Sequence, residues 1–76
     1  MTLKNRIFGK KEKVLARNLR KMRIELGLTI GKCAEDMRVD RQTIINIEQG
    51  RTKKESSLQH YELYLKDVRR KREANV

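Results

Sequence analysis

The sequence predicts an all-α fold built from four helices. Three observations support this prediction: apolar residues recur at helical spacing, glycines follow the apolar segments as stop signals, and the chain has neither proline nor a segment that reads as a strand. At 76 residues the chain corresponds to one small domain, near the lower size limit for a self-sufficient core.

The first helix is predicted from about Lys11 to Leu26, after a basic N-terminal arm (residues 1–10). Its apolar residues recur on one helix face: Leu15, Leu19, Met22 and Leu26. Gly27 is expected to end this helix because glycine adopts a positive φ at little cost. The arm contributes an apolar pair, Ile7 and Phe8, which we expect to cover part of the core.

Two short helices follow, at Ile30–Met37 and Arg41–Gln49, and only residues 38–40 separate them. Thr29 and Asp40 are the predicted N-caps, and Gly50 is the predicted stop. The apolar positions of this segment are Cys33, Met37, Val39, Ile44 and Ile47. Ala34 supplies a small side chain where the two helices must cross. This spacing is typical of a helix-turn-helix, whose second helix enters the DNA major groove.

The fourth helix is predicted to open with a capping box of the form S-x-x-Q at Ser56–Gln59 and to reach about Arg72. Its apolar stripe consists of Leu58, Tyr61, Leu65 and Val68. Leu63 is predicted on the opposite face. We therefore expect a helix-turn-helix domain over residues 11–65, with its motif at 30–49, and a basic helical extension over residues 66–76.

The charge of the chain favours a polyanionic partner. Twenty Lys and Arg against ten Asp and Glu give a net charge of +10 and a pI near 10.3. The basic residues are concentrated in the first and last thirds, whereas the segment 28–50 is nearly neutral. This division suits steering by phosphate contacts and discrimination by base contacts. Two alternatives are an anionic membrane surface and terminal charges that only keep the chain solvated.

Several functional classes are disfavoured by the sequence. No segment approaches the roughly 20 apolar residues that span a bilayer, so no membrane partner is expected. A single cysteine forms no intramolecular disulfide, which favours a reducing cytoplasm. One Cys and one His make a metal site improbable, and we expect no cofactor. No nucleophile–base pair is visible, so no enzymatic activity is expected.

The chain resembles the Cro/cI-type (XRE-like) helix-turn-helix family of phage and bacterial transcription repressors, with a lambda-repressor-like arrangement of four helices. The resemblance covers about residues 14–65 and depends on these positions, which a basic loop follows: Arg23, Leu26-Gly27-Leu28, Ala34, Val39, Ile44, Ile47-Glu48 and Gly50. Ile30 and Arg38 depart from the family pattern, which often has Gln and Gly there. No clear fifth helix is predicted, although the family usually dimerises through one.

The resemblance assigns roles to residues by position. The expected base contacts are Arg41, Gln42, Thr43, Ile45 and Asn46; Gln and Asn pair with adenine, Arg with guanine, and Ile contacts a thymine methyl. The loop that lies along the phosphates in the family matches Arg51, Thr52, Lys53 and Lys54, with Gln49 just before it. Thr29 is a further expected phosphate contact because the backbone amides at the start of the second helix form an anion site there. Arg23 and Glu48 are expected to form a partly buried ion pair that orients the reading helix.

The sequence thus predicts a sequence-specific double-stranded DNA-binding regulator that acts as a repressor. It is expected to bind its operator as a homodimer, which forms either in solution or only on the DNA. Two alternatives stay open. One is an antitoxin-like interaction protein that neutralises a partner and regulates its own synthesis. The other is a basic RNA-binding protein, although the chain has only three aromatic residues for base stacking.

Overall fold

The computed structural model describes residues 10–52 and 54–74 of the chain. This part forms four helices and no strand: α1 (Lys10–Glu25), α2 (Ile30–Met37), α3 (Arg41–Glu48) and α4 (Glu55–Ala74). The predicted all-α fold of four helices is confirmed. None of the described helices is both long and apolar enough to cross a membrane.

The predicted helix boundaries need small corrections. Lys10, assigned from sequence to the arm, is the first residue of α1, and both α1 and α3 end one residue earlier than predicted. The rest of the arm, with Ile7 and Phe8, lies outside the described residues. α4 continues to Ala74, so the basic extension is helical throughout residues 66–74. No fifth helix follows within the described part of the chain.

Each of the first three helices is followed, within two residues of its end, by a residue with a left-handed backbone. These residues are Gly27 and Gly50, each with φ of 72°, and Arg38 with φ of 60°. In each case the next amide donates back to the carbonyl five positions earlier, at 2.8–3.1 Å. The predicted glycine stops are confirmed. Arg38 adopts the glycine-type conformation at a cost of about 1 kcal/mol.

The helix starts agree less well with the sequence. Thr29 caps α2 as predicted, since its hydroxyl accepts a hydrogen bond from the Lys32 amide at 3.0 Å. Asp40 occupies the N-cap position of α3, but its side chain makes no capping bond. The backbone alone therefore begins α3.

The capping box predicted for α4 is wrong. The helix begins at Glu55, and the Ser57 amide donates to the Lys54 carbonyl at 3.1 Å. Ser56 therefore lies inside the first helical turn, where it cannot act as the N-cap. The S-x-x-Q pattern failed because Glu55 continues the helix by one residue toward the N-terminus.

One core joins the four helices. α2 packs against α3, and α4 packs against α1 and α3. The buried hydrophobic residues are Ala16, Leu19, Cys33, Ala34, Ile44, Ile47, Leu58, Tyr61 and Leu65. The small side chain of Ala34 lies within this cluster, as expected for the crossing of α2 and α3. The core therefore fixes one face of each short motif helix.

Two apolar positions of the motif differ in their environment. Cys33 is fully buried, as predicted, and burial raises the pKa of its thiol. Val39 was grouped with the core positions, but it is 37% exposed because it lies in the turn between α2 and α3. The turn residue thus contributes little to the core, and α2 and α3 are held together by Ala34 and its neighbours.

Candidate nucleic-acid interface

α3 has two faces with different environments. Ile44, Ile47 and Glu48 are buried against the other helices. The residues predicted to contact bases are on the other side: Arg41 and Gln42 are exposed, and Thr43, Ile45 and Asn46 are half-buried. The structure therefore presents all five predicted base-contacting residues at least partly to solvent on one helix.

A buried polar network holds the inner face of α3. Arg23 Nε lies 2.6 Å from Glu48 Oε2, and Arg23 Nη2 lies 3.2 Å from Glu48 Oε1. The Tyr61 hydroxyl donates to the same Oε2. Arg23 Nη1 also donates to the Leu28 carbonyl at 2.8 Å. The expected ion pair is thus present, and it connects α1, α3, α4 and the loop before α2.

Two members of this network, Arg23 and Tyr61, have raised pKa values. The hydrogen bond from Arg23 to Glu48 raises the pKa of the arginine, so the guanidinium stays charged. Burial, followed by the hydrogen bond to Glu48, raises the pKa of Tyr61 far above its ordinary value of 10.0. The Tyr61 hydroxyl therefore remains a donor through the neutral range, and the carboxylate receives donors from two helices.

Sequence reasoning missed the part that Tyr61 has in this network. Tyr61 was placed only in the apolar stripe of α4, whereas its ring is fully buried and its hydroxyl bonds to Glu48. A signal was present, because a buried tyrosine normally needs a hydrogen-bond partner. Glu48, at the end of α3, is consequently bonded by two side chains, Arg23 and Tyr61, rather than by Arg23 alone.

On the outer face, the side chains of Gln42 and Asn46 contact each other. Gln42 Nε2 donates to Asn46 Oδ1 at 3.1 Å, one helical turn apart. After this bond, Gln42 retains its amide oxygen and a second N–H, and Asn46 retains its amide N–H groups. The pair therefore presents donors and an acceptor side by side on the exposed face.

The predicted phosphate-contacting residues lie near both ends of α3. Thr29 lies beside Arg41 and Ile45 around a shallow groove of about 550 Å³ between the end of α1, the start of α2 and the start of α3. Gln49 and the loop after it continue from the other end of α3. Of the loop residues, Arg51 and Lys54 are exposed, Thr52 is half-buried, and Lys53 lies outside the described residues.

A second surface lies between α2 and α4. The Tyr64 hydroxyl donates to Asp36 Oδ2 at 2.7 Å, and this bond, with a smaller contribution from Lys32, lowers the pKa of Asp36. Next to it, Leu63 is 65% exposed at a groove of about 600 Å³, which Met37 also lines. The exposure of Leu63 confirms its predicted position, whereas sequence reasoning missed the Tyr64–Asp36 bond.

The basic extension of α4 uses part of its charge locally. Arg70 and Lys71 both form ion pairs with Asp67, at 2.5 and 3.2 Å. Arg72 Nη1 donates to the Leu26 carbonyl at 2.5 Å, at the end of α1. These contacts are exposed, and exposed pairs stabilise a fold weakly. Within residues 66–74, the side chain of Arg69 is in no ion pair.

Comparisons of the chain with protein-family models, with curated proteins and with solved structures return no match. The resemblance to the Cro/cI-type family therefore rests on the residues quoted for it. The function of the chain has to be argued from the geometry of α3 and its surroundings.

Proposed function

We propose that this protein is a sequence-specific double-stranded DNA-binding transcription regulator, a repressor without enzymatic activity that acts in the cytoplasm. In this proposal α3 enters the major groove of an operator. The observation that carries it is the two-sided character of α3. Its inner face is held through Glu48, which bonds to Arg23 of α1 and Tyr61 of α4, and its outer face presents hydrogen-bonding side chains that make no bond to the other described helices.

The chemistry of the outer face suits base edges. In the major groove adenine offers an acceptor at N7 and a donor at N6, which a Gln or Asn amide can pair with at once. The bond from Gln42 to Asn46 holds the two amides in register, so fewer rotamers have to be fixed on binding. Ile45, half-buried beside them, supplies an apolar contact for a thymine methyl.

The charge distribution supports a duplex backbone as partner. The net charge of +10 supplies non-specific attraction, and the loop after α3 contributes the exposed Arg51 and Lys54. Thr29 and the first amides of α2 add neutral donors at the opposite end of α3. Phosphate contacts on both sides of the reading helix would fix its register on the duplex.

Single-stranded RNA is a poorer partner for this fold. Recognition of unpaired bases generally uses exposed aromatic rings on which the bases stack. Among the described residues the aromatic side chains are Tyr61, which is fully buried, and Tyr64, which is half-buried with its hydroxyl bonded to Asp36. Tyr61 is closed to a base, and Tyr64 lies at the groove between α2 and α4 rather than on α3.

We further propose that two copies bind one operator. A single reading helix spans only a few base pairs, and two copies on half-sites one helical turn apart supply more discrimination. Leu63, exposed at the groove between α2 and α4, is the proposed contact. Antiparallel α4 helices crossing at Leu63 would set Glu55 of one copy near Lys71 of the other, whereas parallel helices would bring the basic segments 69–72 together.

The decisive experiment is selection of bound sequences from a random duplex library. We expect one enriched motif with two related half-sites, and preference for that duplex over RNA duplex of equal length. Selection with the double variant Gln42→Ala/Asn46→Ala is the control, and it should lose the enrichment while retaining salt-dependent binding. Enrichment of no sequence, or equal affinity for RNA, would contradict the proposal.

A further inference from the structure

Gly31, the second residue of α2, faces the first residue of α3. A Cβ built on Gly31 would lie 3.0 Å from Arg41 Nη2, 3.3 Å from Nε and 3.5 Å from Cζ. All three of these atoms belong to the guanidinium group. The planar end of Arg41 therefore lies where a side chain at position 31 would lie.

The backbone does not explain why residue 31 is glycine. Positive φ angles among the described glycines occur at Gly27 and Gly50, and Gly31 is an ordinary helical residue. A helix is less stable with glycine than with alanine at an interior position, because glycine loses more backbone entropy on folding. With glycine at position 31, the guanidinium of Arg41 lies against α2 with no Cβ beside it, and an added Cβ would require the end of Arg41 to move by a few tenths of an ångström.

This position directs Arg41 toward the duplex backbone in the proposed complex. In a helix-turn-helix the first motif helix crosses the sugar-phosphate backbone, while the start of the second contacts base edges. A guanidinium that lies on α2 is therefore close to the helix that crosses the sugar-phosphate backbone of the DNA, and not to the base edges. Arg41 is exposed and is in no ion pair within the described part of the chain, so its charge is available to a phosphate.

We propose that Gly31 is a positioning residue for DNA recognition: it lets Arg41 lie on α2, where the guanidinium binds a backbone phosphate and reads no base. This inference rests on the proposed function and narrows it. Discrimination between sequences is assigned to Gln42 and Asn46. Arg41, expected from sequence to contact bases, joins the residues that bind phosphate.

A double-mutant cycle tests the positioning role. Gly31→Leu fills the space with a good helix former that cannot bind phosphate, and Gly31→Ala gives a smaller version of the same change. We expect Gly31→Leu and Arg41→Gln each to weaken binding several-fold, by the same factor for the selected site and for random duplex. In the Arg41→Gln background, Gly31→Leu should have no further effect. Arg41→Lys, which retains the charge, should recover part of the affinity.

The salt dependence separates a phosphate contact from a base contact. Losing one phosphate contact should reduce the slope of log K against log salt by about one, whereas losing a base contact relaxes preference at one position of the site. We expect Arg41→Gln to flatten the slope and leave the selected sequence unchanged. Additive losses in the cycle, or a changed base preference at one position, would overturn the inference.

A measurement on the free protein keeps this inference separate from the proposed function. Nuclear Overhauser contacts between the Arg41 Nε hydrogen and the Gly31 α-hydrogens should be present in wild type. Their absence in wild type would overturn the positioning of Arg41 even if the protein binds DNA. If the contacts are present but no duplex sequence is preferred, the proposed function fails, and the role of Gly31 in recognition fails with it.

Discussion

The two faces of α3 differ in burial and in the hydrogen bonds that their side chains make. On the inner face, Ile44 and Ile47 are fully buried and Glu48 receives hydrogen bonds from Arg23 and Tyr61. On the outer face, the one side-chain hydrogen bond among the described residues joins Gln42 and Asn46, which are partners within the same helix. The inner face determines where α3 lies, and the outer face contributes little to folding.

Under the proposed function, this difference separates stability from recognition within the eight residues of α3. Substitutions on the inner face should change the free energy of unfolding, and substitutions on the outer face should change the affinity for DNA. Such a separation is expected of a helix that a rigid scaffold presents to a partner. Each of the following predictions tests one side of it.

The largest expected effect concerns Glu48. Glu48→Ala leaves the buried Arg23 without its carboxylate and should lower the free energy of unfolding by about 3 kcal/mol or more. Urea denaturation followed by circular dichroism measures this loss. Replacing both charged residues, as Arg23→Met/Glu48→Leu, should restore part of the stability, and adding Tyr61→Phe should restore more because the hydroxyl otherwise lacks an acceptor. Additive losses across these variants would show that the three side chains act independently.

The next effect concerns the outer face. Gln42→Ala or Asn46→Ala should cost about 1–3 kcal/mol of binding free energy on the selected operator, with a change in unfolding free energy of less than about 0.5 kcal/mol. Fluorescence anisotropy on the operator and on random duplex provides the comparison. Gln49→Ala is the matched control, since a lost phosphate contact should weaken binding to both duplexes equally. If Gln42→Ala lowered the affinity for the operator and for random duplex by the same factor, this side chain would not read bases.

A smaller effect should appear in alkaline solution. Burial raises the pKa of Tyr61 in the folded protein, so its contribution to stability is complete below the ordinary tyrosine pKa of 10.0 and is lost as the pH rises above that value. Each such proton changes the free energy of unfolding by about 1.4 kcal/mol per pH unit. In Tyr61→Phe the free energy of unfolding, measured by urea titration, should therefore fall less steeply between about pH 10 and 11. The difference in slope should correspond to about one proton fewer released on unfolding. An unchanged slope would place the tyrosine outside the buried network.

The smallest expected effect on the fold concerns Leu63. Leu63→Lys should leave the free energy of unfolding within about 0.5 kcal/mol of wild type because the side chain is 65% exposed. It should weaken the cooperative binding of a second copy, measured by sedimentation with a duplex that contains two half-sites. Val14→Lys, at another exposed apolar position, is the control and should retain cooperativity. Equal cooperativity in both variants would rule out the proposed contact of α4 helices.

The order of the helices could be predicted from local signals. Gly27 and Gly50 adopt the left-handed conformation that stops a helix, and Thr29 caps α2 through a bond to an amide three residues away. These features depend on neighbours in sequence, which is why pattern reading finds them. The S-x-x-Q pattern at Ser56 was misleading because a capping box needs a helix that starts there, and Glu55 also favours helix.

The sequence by itself determined that the chain is helical, that its motif has a buried face and an exposed face, and that charge is concentrated outside the motif. Only the tertiary structure decided which polar groups meet. Glu48 and Tyr61 are 13 residues apart, Asp36 and Tyr64 are 28 apart, and Gly31 faces Arg41 across the turn. The physical reason is that helical periodicity specifies which residues share a face, whereas partners across helices depend on the packing angles that the whole core sets.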